Sequence, residues 1–368
     1  MKFLFISQFF PPEEANRQTG GTISNRNFLR CLSRDHEVTV LSFDLDADPI
    51  KFAEEPYRVV HRPPPKWRAT GLLLHWQAFV RQNVQEFVEA TEQPDFLIAT
   101  TSTLAAFDVA PQQTKCLAVV RAFENFGVRC RWAPRKTRID LIKGTILRRF
   151  QDVRLMRQAD GVLTNSEFMR SAIAERFKIK PAYIHVLKQQ VDFEPNEGAA
   201  PKNTVGFVHR GPDKNISLVL ELARRAPDLS FLIYGHSKGL PSTVSSNVSM
   251  MGWAADRSAM FSSAALWLVP SLWAEPFGRV SIEAQAADRP VLVADCGGLP
   301  ETVSSDRYVI DNFSPDGWLS RMRQLLRMPE AEIAANGKII RSSFSKEVHD
   351  QTIMETLAVI SNHQRKLS

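Results

Sequence analysis

The stretch from Pro270 to Val303 reads PSLWAEPFGRVSIEAQAADRPVLVADCGGLPETV and sets two carboxylates, Glu275 and Glu283, on either side of a Pro276-Phe277-Gly278 turn. An apolar run ends at Ser271, Glu275 lies in the loop after it, and a helix is predicted from near Arg279 with Glu283 in its first turn or so. The first N–H groups of a helix lack intrahelical partners and stand at the positive end of its dipole, which makes such a start a seat for a diphosphate. Gly278 lets the backbone come close to that ligand. A carboxylate in the loop and another on the helix can each accept from paired hydroxyls, as the vicinal diols of a hexose and a ribose require. Two glutamates at this spacing also describe a solvated helix face. The surrounding order of strand, loop, glycine, helix and strand, with GGLPE following, favours a ligand site.

A second cluster follows the apolar run TVGFVH (204–209), where Arg210 and Lys214 precede the helical pattern NISLVLELARRA. Cations between a strand end and a helix start can neutralise a leaving diphosphate, although both also read as ordinary loop charges. Gly235 closes the next apolar run, and Gly252-Trp253 follow VSMM; Trp253 suits either a nucleobase or a core. Near the N-terminus, SQFFPPEEANRQTGGTISN brings Gly20-Gly21 to a helix entry, where bare amides can reach a phosphate.

These residues need a frame that brings loops together, and the sequence spells one. KFLFIS (2–7), EVTVLSF (37–43), DFLIATT (95–101), CLAVVRAF (116–123), GVLTNS (161–166) and IHVL (184–187) read as strands, with helical patterns such as Ile23–Leu32 and Gln77–Ala90 between them. The rhythm restarts with TVGFVH, LSFLIYG (229–235), VSMMG (248–252), ALWLVPS (265–271) and PVLVADC (290–296), after a polar hinge at 193–203. Strands alternating with helices imply a parallel sheet covered on both faces. At 368 residues two domains are expected. The division expected is 1–192 and 193–349, with a C-terminal helix of about 350–368 packing back on the first domain. The fold class expected is α/β, two Rossmann-like doubly wound domains facing a central cleft at their strand ends.

The Pro270–Val303 stretch resembles glycosyltransferase family 4. Glu275 and Glu283 have that family's E-x7-E spacing, and EPFG…EA…PV…GGLPE resembles its donor-site core. The resemblance implies the GT-B architecture, with Glu275 on the donor sugar, Glu283 on the ribose, and the Phe277, Gly278 and Arg279 turn on the sugar or phosphates. Arg210 and Lys214 resemble the family's GR…K phosphate element, with His209 in place of its glycine. Gly235, Gly252 and Trp253 match positions near the nucleobase, and Gly20 and Gly21 match a PP…GG loop that reaches the donor phosphate. ADGVLTNSEFMRSAIAERF (159–177) resembles a scaffold segment in which Ser166 caps the next helix. Two departures stand out. Gln189-Gln190-Val191-Asp192 replaces the family's NG-V-D, and the usual His after the fifth strand is missing from CLAVVRAFENFG, which offers Arg121, Glu124 and Asn125. Glu124 and Asn125 are the candidate sugar or acceptor contacts.

The activity implied is retaining hexosyl transfer from a nucleoside-diphosphate sugar, UDP being the commonest carrier, to a glycan, lipid-linked or small-molecule acceptor in cell-envelope polysaccharide or glycoconjugate synthesis. Arg210, Lys214 and Glu275 would be the catalytic residues. The departing phosphate itself can take the acceptor proton, so the protein must chiefly hold geometry and meet charge. No cofactor or essential metal is expected; the overlapping D-x-D in DLDAD (44–48) lies far from the donor motif. Two other readings are a nucleotide-sugar 2-epimerase of the same architecture and a nucleotide-sugar-binding module without turnover.

Bulk properties narrow the classes further. Hydrophobic residues make up 44% and charged residues 23%, as in soluble globular proteins, and no apolar run is long enough to span a bilayer. MKFLFISQFF reads as a buried strand, since no cleavage site precedes Pro11-Pro12. Cys31, Cys116, Cys130 and Cys296 show no metal spacing, which suggests a reducing, cytoplasmic setting. Net charge is +6, yet Arg121–Gln158 alone holds eleven Lys or Arg residues against three acids. No nucleic-acid motif accompanies them. Within 129–158, Ile139, Ile142, Ile146 and Phe150 form a helical stripe under a basic face, and Trp132 sits in a basic loop. A core helix explains the stripe; the loop suits peripheral contact with an anionic membrane or a phosphate-bearing acceptor.

Overall fold

The computed structural model describes residues 1–12, 19–44, 52, 54–64, 72–123, 152–193, 201–236, 244–254 and 256–362. The first sheet holds β1 (Lys2–Ser7), β2 (Glu37–Ser42), β3 (Arg58–His61), β4 (Phe96–Thr100), β5 (Lys115–Val119), β6 (Gly161–Thr164) and β7 (Ile184–Val186). They run parallel in the order β3-β2-β1-β4-β5-β6-β7. Helices α1 (Gly20–Leu32), α2 (Leu72–Glu89) and α3 (Glu167–Phe177) cover it. Both faces are buried, which is why β1 reads as an unbroken apolar run. Phe3 and Phe5 share one layer with Phe28 and Leu29 of α1, while Leu4 and Ile6 share the other with Val80 and Val84 of α2 and Ile173 of α3.

The second sheet holds β8 (Thr204–His209), β9 (Ser230–Gly235), β10 (Val248–Gly252), β11 (Leu266–Val269), β12 (Val291–Ala294) and β13 (Val309–Ile310), parallel in the order β10-β9-β8-β11-β12-β13. Around it lie α4 (Ile216–Arg225), α5 (Arg257–Ser262), α6 (Arg279–Ala286), α7 (Pro315–Leu325) and α8 (Glu330–Ser343). Trp267 of β11 fills its centre: its Nε1 donates to Phe261 O at 3.0 Å, and a Cβ on Gly206 would stand 2.7 Å from the indole. The two sheets match the doubly wound, two-domain class expected from the strand rhythm.

The chain then returns to the first sheet. In α9 (Lys346–Asn362), Ile353, Leu357 and Ile360 recur on one face and enter the layer formed by Phe28 and Leu29. Gly161 of β6 leaves room for this, since its Cβ would stand 3.0 Å from Ile360 Cδ1. The helix begins at Lys346, a few residues before the expected start, and His349 Nδ1 meets Lys188 O near the interdomain crossover.

Strands β3 and β13 escaped the sequence reading. Both are short edge strands: RVVH is only partly buried, and Val309–Ile310 is two residues long. Such runs carry too little apolar periodicity to separate them from loop. Several expectations fall outside the described residues: Glu124 and Asn125, positions 45–48 of DLDAD, 194–200 of the hinge, and 129–151 of the basic stretch. The described end of that stretch is structural. Arg154 pairs with Asp108 at 2.7 Å, Arg157 Nε donates to Phe177 O at 2.8 Å, and Leu155 and Met156 are buried. Among the described residues no helix is long and apolar enough to cross a membrane.

In each sheet the strand order reverses beside its first strand, at β1 and at β8. Ligands of such sheets bind outside the carboxyl ends of the strands at that point.

Candidate active site

Strand β8 delivers Arg210 and Lys214. Gly211 at φ 151° and Asn215 at φ 63° bend the chain through the short turn Pro212–Lys214 into α4. Leu272 N donates to Asp213 O at 2.8 Å, which ties this turn to the loop after β11. Lys214 Nζ consequently forms an ion pair with Oε1 of Glu275, the oxygen that also accepts from Ser271 Oγ at 2.6 Å. Two residues 61 positions apart, selected from the sequence on separate grounds, are thus direct partners.

Glu275 is held at its backbone as well. It bridges Gly297, and its carbonyl accepts from Gly298 N at 2.7 Å. Gly297 sits at φ 68°, where a Cβ would stand 2.4 Å from the Glu275 oxygen. The glycine pair of GGLPE is therefore required by two backbones in contact.

Gly278, at φ 127°, precedes α6, and no side chain caps that helix start. A Cβ there would strike Leu299 Cδ2 at 2.5 Å. The open amides at this start remain available to a ligand. Glu283 lies in the second turn, slightly further along than expected, and is only 1% exposed. Its Oε1 meets Arg279 Nη2 at 2.9 Å and also Arg257 of α5. The Phe277 ring points away from the turn into a cluster with Val191, Ile282 and Ile340, 5.8 Å from Phe344. Only the Phe277 backbone is left to serve the turn; its ring packs where the chain crosses between domains.

At the outer edge, Trp253 is 44% exposed and so is no core residue. Arg210 stacks over it at 4.8 Å, and the His236 ring meets it edge-on at 5.0 Å. Gly235, at φ 105°, lets β9 pass β8, since a Cβ would stand 2.2 Å from His209 O; Gly252, at φ 69°, has open space beside it.

From the first domain, Gly20 and Gly21 form the first turn of α1 and not a loop before it. The reason is a capping box, in which Thr22 N donates to Thr19 Oγ1 at 3.2 Å and Thr19 N donates to Thr22 Oγ1 at 2.8 Å. A Cβ on Gly20 would lie 3.1 Å from Arg279 Cδ, so the starts of α1 and α6 face one another across the cleft. The domains are also latched below it. Ser166 Oγ, which caps α3, donates to Pro276 O at 2.5 Å, and the Glu301 carboxylate accepts from Glu167 N and Phe168 N at 2.7 Å each. Arg279 Nη1 reaches Gln190 O at 3.3 Å.

Three contributors escaped the sequence reading. Arg257 meets Glu283 only through the packing of α5, so no local signal announces it. Ser271 and Trp273 were visible within SLWAEPFG, but their roles depend on the fold. Trp273 lies 5.4 Å under the Lys214 ammonium and 6.0 Å from Phe123 of the first domain, and its indole N–H is buried with no acceptor among the described residues. Arg210, Lys214, Arg257 and Arg279 thus gather around two carboxylates, with Arg121 beside Arg279. Burial, followed by the neighbouring Arg279, depresses Arg121 to about 10, and burial likewise lowers Arg279 while Glu283 opposes that fall. Both remain cationic at neutral pH, and the surplus of positive charge suits a diphosphate.

A family model described as Glycosyltransferase Family 4 matches residues 19–194, and one described as Glycosyl transferases group 1 matches residues 188–338. The D-inositol 3-phosphate glycosyltransferase of Segniliparus rotundus is 29% identical over 211 residues, 48% of this chain and 46% of that protein. That of Mycolicibacterium paratuberculosis is 26% identical over 251 residues, 60% of this chain and 56% of that protein. The chain spans about half the length of the curated relatives it matches. In architecture it is similar to Anabaena HepE, solved with UDP and glucose (TM-score 0.73, 19% identity, 97% of this chain and 99% of that one). It is similar also to sucrose-phosphate synthase from Thermosynechococcus elongatus (TM-score 0.77, 16% identity, 98% and 99%). Together with the donor motif and the facing helix starts, the two family models establish that this chain belongs to glycosyltransferase family 4, the group 1 glycosyl transferases.

Proposed function

We propose that the protein transfers a sugar from a nucleoside-diphosphate sugar, with UDP as carrier, to an acceptor hydroxyl, and that the anomeric configuration is retained. The observation that carries this reading is the Lys214–Glu275 ion pair, set in the loop that leads into the open start of α6. Bound diphosphate would lie against the open amides of α6, with Arg210 and Lys214 on its oxygens. Both cations meet charge that grows as the sugar–phosphate bond breaks. Glu275, freed from Lys214 by the phosphate, accepts from sugar hydroxyls. A leaving phosphate on the same face as the acceptor can take its proton, which leaves the protein to position and to stabilise charge. The ligands with which Anabaena HepE was solved, UDP and glucose, support the choice of carrier.

The test is a thermal-shift comparison of UDP, GDP, ADP and dTDP, followed by turnover of the matching sugar donors. A ligand at 100 times its dissociation constant adds about 2.7 kcal/mol of stability. UDP is expected to give the largest shift, and no shift from any nucleotide would defeat the proposal.

Two further outcomes follow from the same geometry. Glu275→Gln should keep nucleotide affinity and slow turnover of the intact donor by about tenfold or more, since a hydrogen bond to a charged group is worth about 1.5–3 kcal/mol. Equal loss for nucleotide and donor would assign Glu275 elsewhere. Activity should also survive EDTA, because Arg210, Lys214 and the α6 start supply the positive charge that a metal would otherwise bring. Complete loss in chelator, restored by Mn²⁺ or Mg²⁺, would contradict this.

A further inference from the structure

The Glu283 carboxylate is already crowded. Its side chain is 1% exposed, and its Oε1 accepts from Arg279 Nε at 3.0 Å, from Arg279 Nη2 at 2.9 Å and from Nη2 of Arg257. A carboxylate oxygen offers about two lone pairs, so three N–H groups fill it. A ribose hydroxyl can reach this carboxylate only as a guanidinium withdraws.

The two arginines differ in their freedom to withdraw. Arg279 lies on α6 itself, one turn before Glu283, where the helix keeps the pair together. It is 13% exposed, and its Nη1 also donates to Gln190 O at 3.3 Å. Arg257 comes from another element, as the first residue of α5, and its side chain is 38% exposed. Its guanidinium rests 5.9 Å from the Phe193 ring, a contact that leaves its direction open. Arg257 is therefore the partner that gives way.

A displaced Arg257 has a destination. It stands near enough to Arg210 that its charge, second to burial, depresses the Arg210 guanidinium, while Glu283 opposes that fall. Arg210 is itself stacked on Trp253 at 4.8 Å. An anion that neutralised Arg210 would relieve this repulsion and draw Arg257 to the same charge. A diphosphate carries oxygens enough for both guanidiniums.

We propose that Arg257 competes with the ribose for Glu283 and that, once displaced by it, the guanidinium binds the diphosphate of the donor. The inference rests on the sugar-transfer reading above, with Glu283 as acceptor for the ribose hydroxyls, and adds a third phosphate-binding cation to Arg210 and Lys214. Arg257 thereby links recognition of the nucleoside to recognition of its charge.

The experiment measures binding of uridine and of UDP by calorimetry to the unaltered protein, to Arg257→Gln and to Arg257→Lys. Uridine should bind Arg257→Gln at least as tightly as it binds the unaltered protein, because its ribose no longer competes with a guanidinium. UDP loses a charged partner in the same variant, so the ratio of UDP affinity to uridine affinity should fall about tenfold or more. Arg257→Lys, which keeps the charge and loses the planar fork, should recover part of that ratio. A residue that only supports the pocket would weaken both ligands together. Equal weakening of uridine and UDP in Arg257→Gln would thus overturn the proposal and make Arg257 a structural support of Glu283, and an unchanged ratio would overturn it as well. Failure of UDP to bind the unaltered protein would instead sink the sugar-transfer reading, and this inference with it.

Discussion

Lys214→Ala and Arg210→Ala are each expected to reduce transfer by about 10²–10³-fold, the range found when a single group that stabilises transition-state charge is removed. The reason lies in where charge appears. In the proposed reaction the diphosphate oxygens would already carry charge in the ground state and lie against the α6 amides; as the glycosidic bond broke, one further charge would settle on the leaving oxygen. Lys214 is held at the floor of this region by Glu275 and by the Trp273 ring, and Arg210 is held at its edge by stacking on Trp253. Interactions that strengthen only at the transition state change kcat more than affinity. Uridine should therefore bind both variants almost normally, UDP somewhat less tightly, and turnover should collapse. Steady-state kinetics with matched uridine and UDP titrations reads all three. If uridine affinity fell as far as turnover, the two cations would be shaping the nucleoside pocket instead of meeting phosphate charge.

The second large effect is on stability. Glu283→Ala should lower the unfolding midpoint of the donor domain substantially, because Glu283 is 1% exposed and its oxygen holds both Arg279 and Arg257. Breaking a buried ion pair by removing one partner costs about 3–5 kcal/mol, since the other charge is left uncompensated. The lower end applies here: the Arg257 side chain is 38% exposed and can turn to solvent, whereas Arg279 is 13% exposed and also bonded to Gln190 O. At about 2–4 °C per kcal/mol for a domain of this size, a fall of roughly 10 °C is expected. Glu283 holds both arginines, and in the proposed reaction it would also accept from a ribose when nucleotide binds. Thermal unfolding of Glu283→Ala beside Glu275→Ala separates them, and an unchanged midpoint would show that Arg279 finds another counter-charge.

Much of this was legible in the amino-acid order. Unbroken apolar runs such as KFLFIS and PVLVADC announce strands covered on both faces, and their spacing announces two parallel sheets. The EPFG…GGLPE order announces a strand, a tight turn and an open helix start, because glycine at positive φ and an uncapped helix entry are local requirements written in local residues. Ser166 as the cap of α3 was readable for the same reason.

What the sequence could not contain was partnership across the chain. That Lys214 pairs with Glu275, that Arg257 joins Arg279 on Glu283, and that Glu301 of GGLPE latches the start of α3 are consequences of how crossovers stack loops from distant positions. The Phe277 ring had every appearance of a cleft residue, yet packing against Phe344 turned it inward, since a large apolar ring gains more from burial than from a polar cleft. Arg121 shows the same division most plainly. The amino-acid order placed an arginine after the fifth strand, and only the fold decided that its Nε would bond to Asn25 and that its Nη1 would be buried with no hydrogen-bond partner among the described residues, because burial belongs to the assembled neighbourhood and not to any residue in it.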